Sequence, residues 1–87
     1  MATVWIPLTL RGNCGGRRIV GVPGRTLREV FENLESECPG IRDQLRDEVG
    51  IQAGINVSVD GEITELGLLQ PIGENTEIQI IPAIAGG

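Results

Sequence analysis

The sequence contains no histidine, no lysine and no tyrosine, and only one tryptophan, one phenylalanine and one methionine among 87 residues. Each absence removes a class of function. Without histidine, and with Cys14 and Cys38 far apart and outside any CxxC pair, the usual zinc ligand sets cannot be assembled. The net charge is −5, and the seven basic residues are all arginines scattered between Arg11 and Arg46, so no basic, ring-bearing face exists for nucleic acid. No apolar run approaches the roughly 20 residues needed to cross a bilayer. "MATVWIPLTLRG" carries no basic segment ahead of its apolar run, so it is not read as a signal peptide and a cytoplasmic location is expected. In that setting the two cysteines are expected as free thiols, Cys14 exposed in a Gly-rich loop and Cys38 half-buried at a helix end; spacing alone leaves a disulfide open. "GNCGG" and "GVPG" lack the lysine and the helix start of a phosphate-binding loop.

What is present is enough for one small domain. The apolar fraction of 40% and charged fraction of 22% are those of a folded chain. "TVWIPLTLR" alternates, with Val4, Ile6, Leu8 and Leu10 on one face and Trp5, Pro7 and Thr9 on the other, which predicts a strand along its length. "GNCGG" then turns the chain, and "RRIVGV" returns as the second strand of a hairpin.

"TLREVFENLESECPG" predicts a helix. Thr26 is its N-cap, Glu29 completes a capping box, and Leu27, Val30, Phe31 and Leu34 form one apolar stripe. Glu32, Glu35 and Glu37 are expected on the solvent side, and Pro39-Gly40 stops the helix. "IRDQLRDEV" adds a short helical turn held by Ile41 and Leu45. "INVSV" alternates as a strand and Asp60-Gly61 is a hairpin turn. "TELGLLQPIGENTE" is a loop with a turn or two of helix, and "EIQIIPAI" is the last strand, with Ile78 and Ile80 opposed to Gln79 and Ile81. A helix crossing between a hairpin and later strands implies a mixed sheet with the helix on one face, its first and last strands parallel neighbours.

The chain finishes "IIPAIAGG". With "VWIPLTLR", the helix "TLREVFENL" and "INVSVDGE", that ending resembles the MoaD/ThiS family of ubiquitin-like sulfur carriers; "PAIAGG" and the Gly-Gly of the first hairpin are most similar to its CysO-like branch. The resemblance implies an α+β, ubiquitin-like β-grasp fold: a mixed four- to five-stranded sheet with one main helix on one face. It also implies one sulfur-carrier domain over residues 1–87 with a flexible tail at 83–87.

The implied role is that of a carrier and not an enzyme, with no catalytic residue in the fold and no metal or cofactor bound. Gly87, preceded by Gly86, is the adenylation and thiocarboxylate site. Two glycines add no Cβ, so such a tail threads a narrow channel. ATP and magnesium are used by an activating partner, an E1-like adenylating enzyme of the MoeB, ThiF or MoeZ type. A sulfur-accepting biosynthetic enzyme is the second partner, and the carrier alone is expected as a monomer. Ala85, Ile84, Ala83, Pro82, Ile81 and Trp5 are the expected partner-binding residues. For Trp5 a plain role, lying under a loop or covering a sheet edge, stays open beside that one. The alternative is a protein modifier conjugated through Gly87; a third reading is an interaction domain without tail chemistry. A lysine-free surface would escape self-acylation by an activated tail, although a genome that writes arginine for lysine gives the same composition more simply.

Overall fold

The computed structural model describes residues 1–83. Strand β1, Ala2–Trp5, buries Ala2 and Val4 and turns Trp5 outward. The expected continuation of this strand through Leu10 is corrected. The Ile6 amide donates once more, to the Arg18 carbonyl at 2.8 Å. The chain then enters a 3-10 helix, Leu8–Cys14. Pro7 is the cause: it has no N–H for a ladder, and its φ of −67° suits the residue ahead of a helix. Leu8, expected inward, is consequently 76% exposed, while Leu10 stays buried.

Strand β2, Ile19–Val22, pairs antiparallel with β1, placing Ile19 opposite Trp5. Gly24 comes next, in a conformation (φ 153°) that lets the chain pass against helix α1, Leu27–Glu37. A Cβ at Gly24 would stand 2.8 Å from both the Val30 amide nitrogen and Val30 Cγ2. The cap is the predicted one. Thr26 Oγ1 accepts from the Glu29 amide at 3.3 Å, and Glu29 Oε1 accepts from the Arg25 amide at 3.1 Å, one residue ahead of the usual return arm. Leu27, Val30, Phe31 and Leu34 are buried as one stripe, each worth about 1.5–3 kcal/mol of transfer free energy.

The glutamates expected on the solvent side of α1 are tied down. Glu35 accepts from the Gly40 and Arg42 amides at 2.7 and 2.9 Å, which fixes the turn into α2, Arg42–Leu45. Those two N–H donors hold the Glu35 carboxyl below the usual carboxylate range. Glu32 pairs with Arg42 at 3.0 Å and Arg46 at 2.7 Å, and the Arg42 hydrogen bond foremost lowers its pKa.

The cysteine expectation is overturned. Cys14 and Cys38 form a disulfide across a separation of 24 residues, with a Cα–Cα distance of 4.3 Å. Both are buried, neither exposed nor half-buried. The bond joins the end of the 3-10 helix to the C-cap of α1. The inference from compartment failed because it says nothing about which side chains the fold brings together.

Strand β3, Ile55–Val59, turns through Asp60 (φ 50°) and Gly61 (φ 89°) into the short β4, Glu62–Ile63, as the Asp-Gly pair predicts. A second 3-10 turn, Gly67–Leu69, buries Leu68 under α1. Strand β5, Glu77–Pro82, closes the sheet. The order is β2-β1-β5-β3-β4, with β1 and β5 parallel and the other pairs antiparallel. This is the expected β-grasp: a mixed five-stranded sheet with α1 packed on one face. No described helix is long and apolar enough to cross a membrane.

Candidate functional site

The face of the sheet opposite α1 carries the candidate site. Register builds it. Trp5 stands opposite Ile19 on one side and Gln79 on the other; Gln79 faces Ser58, and Ser58 faces Ile63. One row of side chains therefore crosses all five strands in the order Ile19, Trp5, Gln79, Ser58, Ile63. Trp5, Ile19 and Ile63 are 38%, 44% and 54% exposed, and only Ser58 in the row is buried. Two residues further along β5, on the same face, Ile81 is 40% exposed opposite Asn56. The Trp5 indole N–H donates to Glu77 Oε1 at 3.3 Å, which orients the ring on the surface of an interior strand. The ring thus covers no sheet edge.

Because β1 and β5 are parallel, both chains leave the sheet at the same end. There β1 passes into the 3-10 helix with exposed Leu8, and β5 passes through half-buried Pro82 to exposed Ala83. The Ala83 amide still donates to the Gly54 carbonyl at 2.5 Å. Of the site residues predicted from the sequence, Trp5 and Ile81 are brought to this face; Pro82 and Ala83 stand at the same end, but Pro82, opposite Ile55, lies on the α1 side of the sheet with Ile78 and Ile80. Ile84, Ala85, Gly86 and Gly87 lie outside the described residues.

Sequence reasoning missed Leu8, Ile19 and Ile63 as members of the exposed apolar surface. Ile19 was recoverable, since the predicted hairpin sets it on the face of Trp5; Leu8 was not, because the strand was carried past Pro7. Trp5, Leu8, Ile19 and Ile81 leave apolar area exposed on this side of the sheet, with Ile63 on the opposite edge strand.

The described residues offer little else for chemistry. No group of three or more His, Cys, Asp or Glu side chains among them could hold a metal ion. A surface hollow between Ala2, Pro23, Arg25, Ile72 and Glu74 lies at the end of the sheet where β1 begins, away from the exit of β5. Asp47 is a turn carboxylate, accepting from the Val49 and Gly50 amides at 2.8 and 2.9 Å, and those bonds hold its pKa low.

Comparison with known proteins agrees with this fold. Sulfur carrier protein CysO of Mycobacterium tuberculosis is 34% identical over 90 residues, spanning 98% of this chain and 97% of the relative. A chain of the BexX/CysO complex of Amycolatopsis orientalis superposes with a TM-score of 0.94 at 35% identity, covering 100% of both chains. CysO of Mycobacterium tuberculosis superposes with a TM-score of 0.89 at 31% identity, covering 97% of this chain and 100% of that one. Small archaeal modifier protein 1 of Methanosarcina acetivorans, at 22% identity and a TM-score of 0.81 over 99% of this chain and 95% of that one, shares the fold. The ThiS family model matches residues 14–87, from the disulfide-bonded Cys14 to the last glycine, and on that match and the near-full-length relatives the chain belongs to the ThiS family.

Proposed function

We propose that this chain is a sulfur carrier whose reactive atom is the Gly87 carboxylate. The observation that carries the reading is the near-full-length match to proteins named sulfur carrier protein CysO, by chains that share its sheet, helix and order of elements.

A carboxylate is a poor acyl donor because its leaving group would be oxide. In the proposed first step the Gly87 carboxylate attacks the α-phosphorus of ATP in the site of an E1-like adenylating enzyme. Pyrophosphate leaves and an acyl-adenylate forms. Sulfide then attacks the carbonyl carbon; the new C–S bond replaces the C–O bond to AMP, and AMP leaves. The product is a C-terminal thiocarboxylate that hands its sulfur to a biosynthetic enzyme making cysteine or a sulfur-containing cofactor or natural product. The activating partner supplies ATP, magnesium and catalytic groups; this chain supplies the terminal carboxylate and a surface to hold.

That surface is the exposed row through Trp5 with Ile81 and Leu8 beside the exit of β5. Its apolar area buries against the partner, and the acidic net charge of −5 favours approach to a basic cleft. The BexX/CysO complex is a case in which a relative of this fold is held by a second protein. The test is ATP–pyrophosphate exchange by the adenylating enzyme encoded nearest this gene. Exchange that depends on this chain and vanishes when Gly86 and Gly87 are deleted supports the reading; exchange unaffected by the deletion overturns it.

Conjugation to target lysines is the second reading, since it shares the adenylate. The likeness to small archaeal modifier proteins speaks only to fold, and the ending here lacks the arginines of the ubiquitin tail "LRLRGG". Gly87 found in isopeptide linkage on other proteins would favour conjugation.

A further inference from the structure

The 3-10 helix Leu8–Cys14 joins two parts of the molecule. Its first residues stand where β1 ends, at the end of the sheet from which β5 also departs. Its last residue, Cys14, is bonded to Cys38 at the end of α1. Apart from the disulfide, that far end is fastened by polar side chains. Of the seven helical residues only Leu10 and Cys14 are buried, and no side chain caps the N-terminus. The remaining ties are side-chain hydrogen bonds: Arg11 Nε to the Ile6 carbonyl at 3.0 Å near the start, and at the far end Asn13 Nδ2 to the Pro39 carbonyl at 2.9 Å, Gln44 Nε2 to Asn13 Oδ1 at 3.2 Å, and Arg17, whose Nε donates to the Cys14 carbonyl at 2.9 Å while its half-exposed guanidinium donates to the Glu37 carbonyl at 2.9 Å and pairs with Glu37 Oε1 at 3.1 Å. Side-chain hydrogen bonds and ion pairs of this kind hold a segment weakly, and 3-10 geometry adds little of its own.

We infer that the Cys14–Cys38 disulfide is a redox-sensitive clamp that keeps the 3-10 helix ordered against the end of α1, beside the exit of β5. With the bond intact, the helix presents Leu8 next to the Trp5 face as a fixed wall. A dithiol reductant cleaves the S–S bond, delivering two electrons and two protons; the protein gains two thiols and the reductant closes to its own disulfide. The helix then keeps Leu10 as its one buried side-chain anchor besides the Cys14 thiol, and its far end frays. Both sulfur-bearing residues are buried, at 1% and 0% exposure, so the reductant reaches the bond only through a transient local opening of the chain that covers it. The rate of thiol release therefore reports that opening. The clamp is independent of the carrier reaction and stands or falls apart from it.

The test is backbone amide order parameters on the whole chain, oxidised, reduced with dithiothreitol, and as the Cys14→Ala/Cys38→Ala variant. In the oxidised protein, Leu10, Gly16 and Arg17, whose amides donate to the Pro7, Arg11 and Cys14 carbonyls, are expected at about 0.85, and in both sulfur-unlinked forms below about 0.6. Val57 and Ile80 in the central strands are expected to stay unchanged. Unchanged values at Leu10, Gly16 and Arg17 after reduction would overturn the inference. So would an equal fall in β3 and β5, which would make the bond a general staple and not a local clamp. The two sulfur-unlinked forms separate loss of the bond from side effects of the reductant or of the alanines; a fall in only one of them also counts against it.

Discussion

The Ala83 amide donates to the Gly54 carbonyl, carrying the β3–β5 pairing one residue beyond Pro82. The described pairing therefore reaches Ala83, four residues before Gly87, at the end of the sheet beside the Trp5 face. Ile81 lies two residues before that hydrogen bond, on the outer face.

Substitutions on this face should separate docking from folding. Trp5→Ala and Ile81→Asp are each expected to slow thiocarboxylate formation by at least about tenfold at subsaturating carrier, the size of an interface hot spot. Circular dichroism and the urea midpoint should change little, since both side chains are partly in solvent. Activation at the wild-type rate by both variants would remove this face from the docking surface.

Gly24→Ala should be among the most damaging single-methyl additions. The new Cβ would meet the Val30 backbone nitrogen at 2.8 Å, and a helix backbone cannot step aside as a side chain tip does. A loss of about 1–3 kcal/mol is expected by urea unfolding. Gly12→Ala, whose Cβ meets nothing within 4 Å, serves as the control and should cost far less.

Much of this architecture is legible in the sequence because its signals are local and agree with one another. Thr26 with Glu29, the Leu27–Val30–Phe31–Leu34 stripe and the Asp60-Gly61 turn each depend on neighbours in the chain, and each stands where it is expected. The first strand was overextended because Leu8 and Leu10 keep the period of two while Pro7 had already ended the ladder. The disulfide was not legible: Cys14 and Cys38 meet only once α1 has packed on the sheet, and no spacing rule encodes that. Glu32 and Glu35 read as solvent-facing charges because Arg42, Arg46 and Gly40 reach them only after the turn into α2. Of the candidate site, Trp5 and Ile81 are legible from alternation and Ile19 from the hairpin; Ile63 requires the register across strands.

Acid should weaken the fold through these tethered carboxylates. Glu35, Glu32 and Asp47 all have folded pKa values held low, so the unfolded chain binds protons more readily. Their contribution is complete above the unfolded values of roughly 4 and is lost as pH falls through the lower folded values. The urea midpoint should therefore hold from pH 7 to about 5 and decline below it. In Glu35→Gln the decline should be shallower, because one of the three titrating tethers is gone; an identical acid profile would show that the Gly40 and Arg42 amides contribute nothing through it.

Loss of the Cys14–Cys38 bond should lower overall stability as well as local order. Closing a loop of this length restricts the unfolded chain, and its removal is expected to cost about 3 kcal/mol, or on the order of 15 °C in Tm for a domain of this size. Thermal unfolding of oxidised protein against Cys14→Ala/Cys38→Ala measures it. Equal Tm values would mean that the bond adds no stability.

The most direct measurement on the central claim is the intact mass of the whole protein after incubation with ATP, magnesium, sulfide and the adenylating enzyme encoded nearest its gene. The account predicts a gain equal to one sulfur replacing one oxygen, located at Gly87 by fragmentation and absent when Gly86 and Gly87 are deleted. An unchanged mass, with an enzyme shown to adenylate a known carrier, would contradict it.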